Sequence, residues 1–158
     1  MIQKISPFIW FNNQTEEAVN FYVSIFKDSK ITSTSRYGEG GPGEPGSVMT
    51  MGFQLFGLDF TALNGGNYAT LTPAISFVIR CENQEEVDHY WDNLLEGGKA
   101  MQCGWLTDKF GVTWQIVPVQ LFKLMGDKDA AKAKKVTQAM MQMVKLDIAG
   151  LEQAYNQA

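Results

Sequence analysis

One pattern of residues occurs twice in this chain, and it constrains the fold more than any single motif. Ile5–Phe11 alternates apolar and mixed side chains and is followed by Asn13-Gln14, Glu16-Glu17 and an apolar stripe of Ala18, Phe21, Tyr22, Ile25 and Phe26. About 70 residues later, Ala74–Cys81 alternates in the same way. It is followed by Asn83-Gln84, Glu85-Glu86 and a stripe of Val87, Tyr90, Trp91, Leu94 and Leu95. Period-two alternation predicts a strand, and 3.6-residue spacing predicts an amphipathic helix. Acidic residues in a helix's first turn are stabilised by its dipole, which is sufficient reason for both Glu pairs. Thr15 reads as the start of the first helix. Further strands follow each helix. The chain therefore reads as an α+β fold of two β-α-β-β-β units, a duplication that lets two sheets curl and enclose a space neither encloses alone.

The strands after the first helix are Lys30–Tyr37, Val48–Leu55 and Leu58–Leu63, the last two joined by a short hairpin at Phe56-Gly57. After the second helix, Gly97-Gly98 is a stop signal. The stretch Cys103–Pro118, CGWLTDKFGVTWQIVP, then reads as strand, turn at Asp108–Gly111, strand. Val112, Trp114 and Ile116 form an apolar back, and Thr113 and Gln115 point the other way, as in a strand that lines a cavity. Pro7 places the first strand at a sheet edge, or itself near the strand's start.

Composition removes several function classes. Of 158 residues, 45% are hydrophobic and 19% charged, as in an ordinary globular chain, and the net charge of −4 argues against a nucleic-acid partner. No apolar run is long enough for a membrane span, and the first residues lack the order of a signal peptide, so the expected compartment is the cytoplasm. Cys81 and Cys103 have no zinc-spaced partners and read as free, buried thiols. Gly38, Gly40 and Gly43 match G-x-G-x-x-G. A dinucleotide loop, however, opens directly into a helix; here Pro42 and Pro45 intervene and a strand follows. His89, the single histidine, falls off the apolar stripe of its helix and reads as a surface residue.

The remaining 119–158 is a helical extension. Leu121, Phe122 and Leu124 form a short turn, Ala130–Val144 is a helix with Val136, Met140, Met143 and Val144 on one side, and a last helix starts at Leu146-Asp147. Its Met-rich face packs on the body or makes a dimer contact.

The stretches PFIWFNN, EEAVNFY, RYGEGGPG, GSVMTMGF, FTALNGG, AISFVIRC, EEVDHYWDNL, CGWLTDKFGVTWQIVP and KVTQAMMQM resemble the PhnB-like group. This group of the vicinal oxygen chelate superfamily is often labelled 3-demethylubiquinone-9 3-methyltransferase. The resemblance implies a glyoxalase/bleomycin-resistance-like curled sheet over 1–118, with modules at about 1–66 and 72–118. The superfamily's metal enzymes carry one ligand on each of four strands. Those places fall here on Ser6 or Pro7, Phe60, Ser76 and Gln115, a set that lacks the imidazoles and carboxylates a divalent ion prefers. The expectation is thus a metal-free, cofactor-free cavity that binds a small molecule of unknown identity, in a homodimer. The alternative is an enzyme, a methyltransferase as the label says or a metal-dependent lyase with atypical ligands. By alternation the cavity residues are Phe8, Trp10, Phe60, Ala62, Asn64, Ser76, Val78, Arg80, Thr113 and Gln115. Arg80, if enclosed, needs an anion; as a strand-end arginine it reaches solvent. Trp105 caps the cavity or packs.

Overall fold

The computed structural model describes residues 2–157, and the chain divides into two compact units, 1–71 and 72–158. In the first, β1 (Phe8–Phe11), α1 (Thr15–Ile25), β2 (Ser29–Arg36), β3 (Val48–Leu55) and β4 (Leu58–Asn64) form one four-stranded sheet in the order β1-β4-β3-β2. In the second, β5 (Phe77–Cys81), α2 (Gln84–Leu95), β6 (Lys99–Ala100), β7 (Trp105–Thr107) and β8 (Thr113–Pro118) form another, in the order β5-β8-β7-β6. The two orders are the same when strands are counted within each unit. The first strand lies parallel to the last, and the other neighbours are antiparallel. The repeated sequence pattern is therefore a repeated topology, and the fold is α+β.

In unit 1, α1 packs Ala18, Val19, Tyr22 and Ile25 on the sheet face that carries Met51, Phe53 and Leu55 of β3 and Phe60 and Ala62 of β4, all buried. The rings of Tyr22, Phe53 and Phe60 stack in sequence, with centroids 6.1 and 5.1 Å apart. Phe56 and Gly57 both have positive φ, 49° and 75°, so the β3–β4 hairpin is a type I′ turn, whose twist matches that of its strands. β1 is an edge strand that starts after Pro7, shorter than the alternation from Ile5 predicts; Pro7 contributes only its carbonyl, to Thr61 N–H at 3.0 Å. Thr15 does not cap α1. It is the first helical residue, after an N-cap at Gln14 that has no side-chain bond, and Asn64 of β4 accepts its N–H instead at 2.8 Å. The second helix is capped from its own chain start, Asn83 accepting Glu86 N–H at 2.9 Å.

In unit 2, α2 buries Val87, Tyr90, Trp91 and Leu94 against Cys81, Leu106, Trp114 and Ile116. Asp108 is 3% exposed and sits in the turn between β7 and β8. Its carboxylate accepts Phe110 N–H and Val112 N–H at 2.9 and 3.0 Å and the indole N–H of Trp114 at 2.8 Å. β5 begins at Phe77 rather than Ala74. The third strand after α2, to which sequence reading assigned no residues, is the two-residue β6. Cys103 and Gly104 leave the strand predicted for them: φ values of 61° and 80° and the bond from Trp105 N–H to Gln102 carbonyl make them the centre of a tight turn.

That turn holds the C-terminal segment. The N–H groups of Cys103 and Gly104 donate to the carbonyls of Met143 and Val144 at 2.8 and 2.7 Å. This segment comprises α3 (Val119–Met125), α4 (Ala130–Met140) and α5 (Ile148–Asn156). α4 stops at Met140, short of the predicted Val144, because the chain tightens into three-residue turns and then turns its carbonyls to the hairpin. Val117, Leu121, Val136, Leu146 and Leu151 close a small core, with Met140, Met143 and Tyr155 packed against it, so most of the Met-rich side is internal packing. Gln84 of α2 fastens it further, donating to Leu146 carbonyl and accepting Ile148 N–H. Lys145 reaches Asp88 and Asp92 at 2.7 and 3.2 Å.

Two predictions follow from these contacts. Asp108→Ala leaves three buried donors unmet, at about 1–3 kcal/mol each; urea unfolding is expected to show a loss of about 3 kcal/mol or more, with the m-value unchanged. The Asp88 carboxyl is held below its ordinary value by hydrogen bonds from Lys145 and Gln84. Its contribution is present above the unfolded value of about 3.9 and lost as pH falls through the depressed one. Protection of the Leu146–Ile148 amides, relative to the intrinsic exchange rate, is expected to fall on acidification below about pH 4, and Lys145→Met is expected to reduce that pH dependence.

Candidate functional site

Each sheet has one face against its helix; the other is open in unit 1 and, in unit 2, covered by the C-terminal segment at Val117 but open around Val78 and Gln115, and strand register decides which side chains share it. In unit 1 the pairings Trp10↔Leu63, Leu63↔Thr50 and Thr50↔Ser35 run one row across all four strands. Phe8, Thr61, Gly52 and Ser33 form the next row. Ser35 and Thr50 share a hydroxyl hydrogen bond of 2.6 Å. Phe8 is 62% exposed, whereas Trp10 is half-buried and held. Its indole N–H donates to Gly66 carbonyl at 2.9 Å, its ring lies where a Cβ on Gly65 would clash, and Tyr68 stands 5.9 Å away at a 48° tilt.

Phe60 and Asn64 are on the other face, which corrects the sequence assignment. The two-residue turn pairs Leu55 with Leu58, which forces Phe60 opposite Phe53 in the core, with Ala62 buried beside α1. A face misassigned by one residue inverts the whole strand. The signal was available: Met51, Phe53 and Leu55 are plainly apolar, and Phe60 must follow Phe53 through so short a hairpin. The open face takes Asp59, Thr61 and Leu63 instead. Asn64 is consumed by structure, accepting Thr15 N–H and donating to Val48 carbonyl at 3.0 Å.

In unit 2 the open face carries Val78 and Trp105 in one row with Gln115, and Thr113 opposite Thr107. Trp105 is thus a partly buried open-face residue. Gln115 Nε2 donates to Ser76 Oγ at 2.8 Å, which brings together two residues predicted for the site. Thr113 is buried, its hydroxyl 3.4 Å from that of Thr107. Arg80 also belongs to this face by register, opposite Val117, but is exposed, and its guanidinium lies 5.8 Å from the Phe122 ring. No carboxylate pairs with it among the described residues. Burial, then the nearby Glu86 charge, pushes the Cys81 thiol up to about 12, so it is inert at neutral pH. His89 is half-buried on α2, within reach of Asn93 and Tyr90.

These groups stack, donate and accept hydrogen bonds, and bury apolar surface. They do not suit a divalent cation. Of the four places expected for ligands, Ser6 and Pro7 precede β1, Phe60 is in the core, and Ser76 and Gln115 offer only a hydroxyl and an amide to each other. Among the described residues no three His, Cys, Asp or Glu side chains gather where a metal ion would fit. The glycine-rich loop, 38–46, does not suit a nucleotide-type cofactor either. It joins β2 to β3, closed by Tyr37 N–H on Ser47 carbonyl and Gly46 N–H on Tyr37 carbonyl, and opens into no helix.

Two mixed sheets, each ordered with its first strand beside its last, make an α+β fold of the glyoxalase/bleomycin-resistance type. Within it, residues 3–117 match the model of the 3-demethylubiquinone-9 3-methyltransferase family, and the chain belongs to that family. A solved structure of a PhnB protein from Bacillus cereus is 39% identical, with a TM-score of 0.69 over 74% of this chain and 100% of that one. Protein PA1353 from Pseudomonas aeruginosa is 19% identical (TM-score 0.62; 74% and 98% covered). The fosfomycin resistance protein FosX from Listeria monocytogenes is 14% identical (TM-score 0.54; 78% and 97% covered). The last two share the fold. A search of curated proteins found no match. The family's methyltransferase is a name; it does not establish an activity.

The seat of Trp10 yields a direct prediction. Gly65→Ala is expected to displace the indole and lower stability by about 1–3 kcal/mol, the usual cost of overpacking, measured as a shift in the urea midpoint with a change in tryptophan emission.

Proposed function

We propose that this protein binds a small organic molecule on its open sheet faces, without a metal ion, and works as a cytoplasmic homodimer. The observation that carries this reading is the make-up of those faces. Trp10, Leu63, Thr50 and Ser35 in one unit, and Val78, Gln115 and Trp105 in the other, alternate apolar bulk with neutral hydrogen-bonding groups. That is the composition of a small-molecule site: apolar walls with a few placed polar groups. Phe8, Trp10, Ser76 and Gln115 are the contacts retained from the sequence, with Arg80 as the cation for an anionic group of the guest and the buried Thr113 beneath them. Phe60 and Asn64 act behind the face, as packing and as a strut. Support for the homodimer is the large apolar side chains left exposed, Phe8 and, on the C-terminal segment, Phe122 and Met141. No helix among the described residues is long and apolar enough to cross a membrane.

Mass spectrometry of protein purified under native conditions tests the reading. A compound is expected to travel with the wild type and to be lost from Trp10→Ala or from Gln115→Ala, while the dimer mass persists. The same compound retained in both variants, or a stoichiometric bound metal, would overturn it.

A further inference from the structure

Unit 1 contains a cavity of about 580 Å³ away from its open face, between the start of α1 and the ends of β2, β3 and β4. That size is within the range of small-molecule sites, about 300–1,000 Å³. Glu16, Glu17 and Asn20 of α1 line one side, Arg36 and Ser47 the sheet side, and Asn64 lies between. Glu16 and Asn20 are one helical turn apart and so share a face.

Two features distinguish this cavity from a chance depression. Its width is built: Asn64 accepts Thr15 N–H from the helix and donates to Val48 carbonyl on β3, so one amide spaces the two walls. Its charges are opposed and not joined. Arg36 donates through Nη1 to Gly46 carbonyl at 3.0 Å, and among the described residues no ion pair links it to Glu16 or Glu17. The other guanidinium N–H groups, in a fork suited to a carboxylate, remain uncommitted. On the helix side, Asn20 donates to Glu16 carbonyl, so its amide oxygen stays available as an acceptor.

The lining thus offers two carboxylates and one guanidinium, whose complement is a molecule with two cationic groups and one anionic group. We propose that this cavity binds a basic amino acid or a close analogue, a diamino monocarboxylate. Its carboxylate lies on Arg36, and its ammonium groups on Glu16, Glu17 and the Asn20 oxygen. The site is separate from the open-face reading and shares with it no residue that this test alters.

Calorimetric titration at physiological ionic strength with three probes tests the assignment: L-lysine, L-norleucine, which lacks the side-chain ammonium, and cadaverine, which lacks the carboxylate. Saturable L-lysine binding is expected, with each of the other two weaker by about tenfold or more, the range of one charge-assisted contact. Arg36→Gln is expected to erase the preference for lysine over cadaverine. Glu16→Gln with Glu17→Gln is expected to erase that over norleucine. All three side chains are exposed, and circular dichroism with thermal midpoints confirms that the variants fold. Absence of saturable lysine binding, equal binding of the three probes, or wild-type behaviour of the folded charge variants would each overturn the proposal.

Discussion

The second unit depends on a buried charge. Asp108 is nearly inaccessible, and a carboxylate in that position is tolerable only when its oxygens are fully engaged. Here they accept two backbone N–H groups of the following turn and the indole of Trp114. That set fixes the turn and the first residues of β8 together. Once Trp114 is tied to the turn on the helix side, Ile116 follows it into the core, and Thr113 and Gln115 face the other way. The chemistry of the open face is thus set by a residue that never reaches it.

The first unit meets the same requirement by backbone means. Its β3–β4 hairpin is a two-residue turn with both φ values positive, so register is set by turn type rather than by a carboxylate. The helices differ in the same spirit: α2 is capped by the Asn83 that precedes it, while α1 is capped across space by Asn64. One topology is therefore reached twice with different local chemistry. The C-terminal segment is tied into unit 2 by hydrogen bonds from the 102–105 turn, by the Gln84 amide and by Lys145, in addition to its own apolar cluster.

The contrast between family name and residues has a simple physical basis. Fold is carried by the repeated pattern of apolar faces, which tolerates wide variation at the positions that would do chemistry. In this chain those positions carry amides, hydroxyls and aromatic rings. Such groups pack and exchange hydrogen bonds, and none is the imidazole or carboxylate that a divalent ion prefers.

Much of this architecture is local and was legible in the residues alone. Periodicity placed both helices and most strands, Phe56-Gly57 announced its hairpin, and the proline-interrupted glycines lead into a strand, as their sequence context suggested. The pairing of Ser76 with Gln115 lay within the expected site, although its hydrogen bond did not show. Pairing decided the rest. Phe60 and Asn64 belong to the helix face because of what stands opposite β4, Thr15 is capped by a residue 49 positions away, and β6 exists only because β7 lies beside it. Alternation in a strand states that two faces differ; which of them meets the core depends on a neighbour distant in sequence, and only the folded chain supplies that neighbour.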